Sequence, residues 1–261
     1  MRKIILLTSL SAMFLPPVSA QTHNQVDVGF VDLAGIDNRF LGARYRYYTT
    51  DLDTLLGPHA IKSHLNQVTN FSIGGFKNND IKYINADVIY YGPQGLLLNT
   101  RLQHISDDGG YWRTRDYLLS SSIGKQINDS LQLGVSMFYS KEEQRSTETN
   151  TNPYTEVNWK YAPYIRYTDI VNNRGWDLEL KQVSGARRNI EGRANYFINQ
   201  AWSVGLSANI RSDDNVSDNY ELQTHYWFTA NIAIKFGLGS AFDASTSSTL
   251  NSASLLLTGR F

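Results

Sequence analysis

The sequence predicts an all-β protein, a transmembrane antiparallel up-and-down β-barrel of about 14 strands, with about 12 as the alternative count. Three observations carry that expectation. The last segment alternates in period two: Ala253, Leu255, Leu257, Gly259 and Phe261 fall on one face, Ser254, Thr258 and Arg260 on the other, with Leu256 the one apolar residue out of step. Segments of this kind recur at about ten residues each, longer than the strands of most soluble sheets and matched to a tilted crossing of a bilayer. The connections between them alternate between tight turns and longer polar stretches, as in barrels whose two rims face different compartments.

The amino-terminal residues stand apart from this pattern. Met1-Arg2-Lys3 is cationic, Ile4 to Leu15 is mostly apolar, and Val18-Ser19-Ala20 is a small-residue cleavage site before Gln21. That order is the one of a secretory signal peptide, so residues 1–20 are expected to be removed and residues 21–261 to form the barrel. Cysteine is absent from the sequence, which removes disulfides, thiolate metal sites and a lipoprotein anchor from consideration. A formal net charge of zero offers nothing to nucleic acid. With 41% hydrophobic residues and a mean hydropathy of -0.36, no segment reads as a transmembrane helix. A barrel hides its hydrophobicity from such averages, because every second residue faces an aqueous lumen. Aromatics nevertheless reach 12%, with 16 Tyr, and Tyr and Trp suit the two membrane–water interfaces.

In chain order the strands are expected at 24–34, 39–50, 66–76, 81–91, 95–106, 114–125, 130–141, 157–169, 174–184, 188–199, 201–211, 219–228, 231–242 and 251–261. Alternation is clearest where Leu131, Leu133, Val135, Met137 and Tyr139 oppose Gln132, Gly134, Ser136, Phe138 and Ser140. It recurs where Trp202, Val204, Leu206, Ala208 and Ile210 oppose Ser203, Gly205, Ser207, Asn209 and Arg211. Ile190 to Ile198 and Ile232 to Gly239 repeat it. Short turns fall at Gly92-Pro93-Gln94-Gly95, Ile127-Asn128-Asp129, Val171-Asn172-Asn173, Asn199-Gln200 and Thr229-Ala230-Asn231. Longer polar stretches run from Ser106 to Arg113, Lys141 to Glu156, Ser212 to Asn219 and Asp243 to Thr249. Lys77 to Asp80 and Ser184 to Arg187 are tight hairpins on that same side. One connection breaks the rule: Asp51 to Leu65 is long but lies on the short-turn, periplasmic side, where it forms either a short helix or a plug folded inward. A misread hairpin near it would give the smaller barrel. Tyr90, Tyr91, Tyr111, Trp112, Trp159, Tyr161, Trp176, Trp202, Tyr226 and Trp227 fall near strand ends, as interface girdles require.

The same alternation assigns charges to the lumen. Expected inward cations are Arg44, Arg46, Arg101, Lys160, Arg166, Lys181, Arg193, Arg211, Lys235 and Arg260; expected inward anions are Asp87, Asp116, Asp177, Glu179, Glu191 and Glu221. An Arg or Lys facing lipid at mid-depth costs about 2–4 kcal/mol, which favours this assignment of faces whatever the charges do. Two readings follow. The charges either line an open pore and set its selectivity, with the excess of cations favouring anions, or they pair with one another and fill a narrow barrel.

A local pattern adds a family. Tyr45-Arg46-Tyr47-Tyr48 is followed by Gly57-Pro58-His59-Ala60 and then by Leu65-Asn66 entering the next strand. This resembles the general-porin family of marine and related gammaproteobacteria, where a Tyr-rich second strand precedes a Gly-Pro-x-Ala segment and a Leu-Asn. The chain departs from the family after Gly-Pro, with Ile61-Lys62-Ser63-His64 in place of a Glu/Ala-rich segment. The resemblance implies a pore for small hydrophilic solutes in the Gram-negative outer membrane. The partners then expected are outer-membrane lipid, lipopolysaccharide and, through the last strand and its terminal Phe261, the barrel-assembly machinery.

An enzyme needs more than the sequence offers. No His-x-Ser-Asn run occurs among His23, His59, His64, His104 and His225; His104 and Ser106 share a strand face, but Asp107 follows. The acidic pairs Asp107-Asp108 and Asp213-Asp214 read as solvated loop acids or weak divalent-ion sites. No metal-ligand spacing or phosphate-cradling loop appears, so no cofactor is expected. A third reading, a barrel that binds a host or phage surface through Lys141 to Glu156, stays open, as does an inward fold of that stretch.

Overall fold

Period-two alternation becomes a closed wall in the computed structural model, which describes residues 22–32, 39–109, 112–146, 153–184, 189–211, 218–242 and 250–261. The expected leader, residues 1–20, lies outside the described residues, as do Asp213-Asp214, most of the hairpin at 184–187 and the middle of the stretch 141–156. The strands are β1 (Asn24–Asp32), β2 (Arg39–Tyr48), β3 (Asn70–Asn78), β4 (Ile81–Tyr91), β5 (Leu96–Asp107), β6 (Trp112–Gln126) and β7 (Leu131–Ser146). They continue as β8 (Tyr154–Val171), β9 (Arg174–Val183), β10 (Asn189–Phe197), β11 (Trp202–Arg211), β12 (Asp218–Trp227), β13 (Ile232–Phe242) and β14 (Leu250–Arg260). Each pairs antiparallel with its sequence neighbours, and β1 pairs with β14, so the count is 14 and the sheet has no free edge.

Turn chemistry sets the tight connections. β8 and β9 are joined by Asn172 and Asn173 alone, both at positive φ (53° and 65°), the conformation of a two-residue hairpin turn. Asn79 and Asp80 join β3 to β4, again with Asn79 at positive φ (44°). On the opposite rim from that hairpin, the β6–β7 turn is closed by Asn128 Oδ1, which accepts from the Ser130 and Leu131 amides at 3.0 and 2.8 Å.

Two expectations about strand ends are corrected. β6, β7 and β8 run 15, 16 and 18 residues, so Lys141–Ser146 and Tyr154–Glu156 belong to strands rather than to one long loop. A tilted crossing needs only about 9–11 residues, so these three strands project past the bilayer on the long-loop rim. β3 begins at Asn70, not at 66. The residues before it close a short helix, α1 (Lys62–Leu65), whose last carbonyls take the Asn66 and Gln67 amides.

The outer surface is a belt of apolar side chains. Ile73, Leu102, Leu206 and Leu222 are each more than half exposed, and a continuous patch of that size is tolerated against lipid, not water. Tyr45, Tyr90, Trp176, Trp202 and Tyr226 stand outward near the short-turn rim, with Tyr117, Tyr139 and Trp159 outward towards the other. Two expected girdle residues do not belong to it. Tyr91 and Trp227 follow outward residues by one position, so they face the lumen, where both are engaged by other residues.

Candidate functional site: the lumen and its plug

Every lumen cation expected from alternation occupies an inward register position; four of the ten meet an acid on a neighbouring strand and Lys181 meets one on its own. Arg44 on β2 stands opposite Asp27 on β1 and donates to its Oδ2 from Nε and Nη2, at 3.0 and 2.7 Å. Gln25 Nε2 and Thr258 Oγ1 complete that carboxylate at 2.9 and 2.7 Å. Arg101 pairs with Asp87, which also accepts from Ser72 Oγ at 3.0 Å. Arg166 forks onto Asp177, Nε to Oδ1 at 2.7 Å and Nη2 to Oδ2 at 3.0 Å, and Thr168 Oγ1 adds a third bond at 2.9 Å. Arg193 reaches Glu179 at 3.1 Å and Asp177 at 3.7 Å, and Lys181 holds Glu179 at 2.8 Å. These ladders brace adjacent strands along the wall.

The rest are not neutralised in this way. Lys235 lines the lumen opposite His225 and Leu256, and Lys160 stands exposed near the long-loop rim; neither has an ion pair among the described residues. Arg46 is half-buried, and its buried Nε lacks a hydrogen-bond partner. Asp116 faces Glu142 across the β6–β7 ladder, and its Oδ1 lacks one too. Arg211 pairs with Asn189 in the backbone register.

Sequence reasoning left open what the connection after β2 does. It folds into the barrel mouth. A 3-10 turn (Leu52–Thr54) starts it, held by the Leu52 amide on Thr22 O at 3.0 Å and by Leu52 packing with Tyr48 and Val68. The Lys62 ammonium, itself buried, donates to Leu52 O at 3.0 Å and pulls α1 back over the turn. From there the segment reaches the far wall. The His59 amide donates to Gln200 O in the β10–β11 turn at 2.9 Å, and Arg260 Nη2 on β14 donates to His59 O at 3.0 Å. Arg260 also donates from Nε to Gln25 Oε1 at 2.9 Å and lies 3.9 Å over the Trp227 ring.

His64 meets a different stretch of wall. Its Nδ1 lies 2.8 Å from Tyr91 OH and 3.2 Å from Arg166 Nη1. A guanidinium only donates, so Nδ1 is the acceptor and the ring is neutral. Burial, reinforced by Arg166, pushes the His64 imidazole down to about 3, and burial together with Lys62 and Arg260 pushes His59 down to about 4. The segment is thus a plug latched to β4, β8, the β10–β11 turn and β14.

Above the plug lies a chamber of about 360 Å³. Six cations line it, Arg44, Arg46, Arg166, Arg193, Lys235 and Arg260, against two acids, Asp27 and Asp177. Closer to the long-loop rim a second cavity of about 440 Å³ is lined by Glu179, Glu191 and Glu221 together with Lys181 and Arg193. The lumen is therefore graded, acidic above and cationic below. His104 and Ser106, by contrast, face outward: the His104 ring stacks on Tyr117 at 4.7 Å.

A closed, lipid-belted, 14-strand antiparallel wall with a charged interior is an outer-membrane β-barrel fold. It is similar to the outer membrane protein Omp33 of Acinetobacter baumannii, at 18% identity and a TM-score of 0.62, over 92% of this chain and 98% of that one. It is also similar, at 9% identity and a TM-score of 0.50 in each case, to the CymD monoaromatic hydrocarbon channel and to the toluene transporter TbuX of Ralstonia pickettii. The alignments cover 98% of this chain and 92% of CymD, and 96% of this chain and 93% of TbuX. No protein family pattern and no curated protein matches the sequence, so the likeness is one of fold.

Proposed function

We propose that the chain, from Gln21 onward, is an outer-membrane porin that passes small hydrophilic solutes by diffusion through the charged lumen, with a preference for anions. The observation that carries this reading is the lower chamber: six cations against two acids around a space large enough for a small solute. A barrel filled for stability alone would pair or exclude those groups, because an unpaired buried charge is costly. Lys235 and Arg46 are left for a ligand or ion to meet. Arg44, Arg101, Arg166, Lys181 and Arg193 act through the field they share with their acids, and Lys160 and Arg211 sit nearer the entrance. Asp87 and Asp116 are the acids that oppose them on the wall of β4 and β6. The plug makes conduction conditional, since transit requires the latches at His59, His64 and Arg260 to part. Insertion is expected to use the last strand and Phe261 as the signal to the barrel-assembly machinery.

The test is single-channel conductance of the refolded mature protein in a planar bilayer under a KCl gradient. Discrete steps with a reversal potential on the chloride side are expected, moving towards potassium in Lys235→Glu. A folded protein that stays silent at every voltage and pH would replace the porin with a sealed barrel.

A further inference from the structure

Outside the barrel, one sector of the long-loop rim carries a concentration of positive charge. Cross-strand partners place Lys77, Lys82, Ser106, Arg115 and Glu143 in one row across β3 to β7. Arg113 stands opposite Arg145 two residues further towards the loops, and Lys141 stands opposite Tyr117 two residues back. All are an even number of residues from outward Ile84, Tyr117 or Tyr139, or pair with one that is, so they share the lipid-facing side.

Among the described residues, the acids beside these six cations are Asp80 on the β3–β4 turn, Asp108 and Glu143. Asp108 lies 3.7 Å from Lys82 and 3.5 Å from Arg115, and Glu143 holds Lys141 at 2.7 Å. Lys77, Arg113 and Arg145 are exposed and have no ion pair among the described residues. Apolar outward positions elsewhere on this rim include Leu41 on β2, Ile190 on β10 and Leu238 on β13, and the described side chains there add no second cluster of cations.

Directly beneath the row the surface hollows into an apolar groove of about 450 Å³, lined by Ile84, Leu102, His104, Tyr117, Leu119 and Tyr139. The His104 ring packs flat on Tyr117 and its Nδ1 is tied to Asp116 O at 3.2 Å, so the groove is walled by rings and aliphatic carbons. Cations over an apolar slot, at the level where the aromatic girdle meets the loop-side interface, match a lipid with phosphates at its head and chains running down the wall.

We propose that this sector of β3–β7 binds lipopolysaccharide, its phosphates on Arg113, Arg115, Arg145 and Lys77 and one acyl chain in the groove below. The long-loop rim is the outer-leaflet rim in this fold. The projecting ends of β6 and β7 hold Arg113 and Arg145 at headgroup height instead of in the hydrocarbon. The site stands on the outer-membrane fold and does not depend on whether the lumen conducts.

The experiment is native mass spectrometry of the full mature barrel in non-ionic detergent, titrated with deep-rough lipopolysaccharide and separately with phosphatidylglycerol. Wild type is expected to bind lipopolysaccharide in preference. The triple variant R113Q/R115Q/R145Q is expected to lose roughly a hundredfold in affinity. Lys125→Gln, which removes an outward cation from the opposite rim, is expected to bind as wild type does. Folding is checked by heat-modifiable gel migration; if the triple variant fails it, R115Q alone is expected to lose several-fold. Equal binding by wild type and the folded cation variant, equal loss in Lys125→Gln, or equal affinity for phosphatidylglycerol would each overturn the assignment.

Discussion

Which way one side chain points decides what its charge costs. Leu206 faces lipid on β11, more than half exposed, while Asn209 on the same strand lines the upper cavity. Leu206→Arg is expected to weaken the folded barrel by about 2–4 kcal/mol, read from urea unfolding in lipid vesicles. Asn209→Arg is expected to leave the unfolding midpoint close to wild type and to shift ion selectivity instead. Equal damage from both would mean that β11 has its faces reversed. These orientations were legible because alternation needs only one strand at a time. Partnership was not. Arg166 and Asp177 are eleven positions apart, and nothing local says that the register of β8 on β9 brings them into a fork. Tyr91 and Trp227 show the same limit from the other side: a ring at a strand end reads as a girdle residue unless its parity is counted.

Among elements, the plug departs most from a simple barrel, and its latches titrate. Docked, His64 and His59 hold their protons only near pH 3 and pH 4, whereas the ordinary imidazole value is 6.5. The docked state therefore keeps its full strength above about 6.5 and loses it as pH falls, because the undocked segment takes up protons that the docked one refuses. Around His64 the facing groups are Arg166, Arg193, Tyr91, Asp177 and Glu179, and the two guanidinium groups oppose a second positive charge. Acidification from pH 7.5 to 5 is expected to raise open probability on the order of tenfold or more, with His64→Asn blunting the response by keeping an acceptor that does not titrate. A channel equally open across that range would show that the latch is not the gate. Of this element only its length and the alternatives of a short helix or an inward plug were legible. Asp51 to Val68 has no period, and its docking partners lie on β4, β8 and β14. The ends of β6 to β8 were missed for another reason: from Lys141 to Ser146 both faces are polar, so the lipid-facing signal stops before the strand does.

For the molecule as a whole, Arg260 is the residue through which wall, plug and closure act together. Its guanidinium bonds Gln25 on β1 and the His59 carbonyl of the plug and covers Trp227 on β12, while its backbone is held by Asn231 O at 2.8 Å. Arg260→Met should keep the strand but leave the His59 carbonyl of the plug without its Arg260 donor and Gln25 Oε1 with the Tyr48 hydroxyl alone, at 3.0 Å. A loss of roughly 2–4 kcal/mol in unfolding free energy is expected, together with raised conductance at neutral pH. An unchanged unfolding midpoint and an unchanged closed fraction would remove Arg260 from this role.

The seam between β1 and β14 also imposes an order on the birth of the molecule. Thirteen of the fourteen ladders join strands adjacent in sequence, but Gln25 and Arg260, which meet across the seam, are 235 residues apart. A chain emerging from its amino terminus can zip those neighbouring ladders in turn, yet the edge of β1 stays unsatisfied until the last strand arrives. For that interval the barrel is an open sheet with a sticky margin, and its survival rests on whatever shields that margin. Closure is then a single loop-closing event, slow for its span, and the waiting time before it sets how long the nascent barrel is vulnerable.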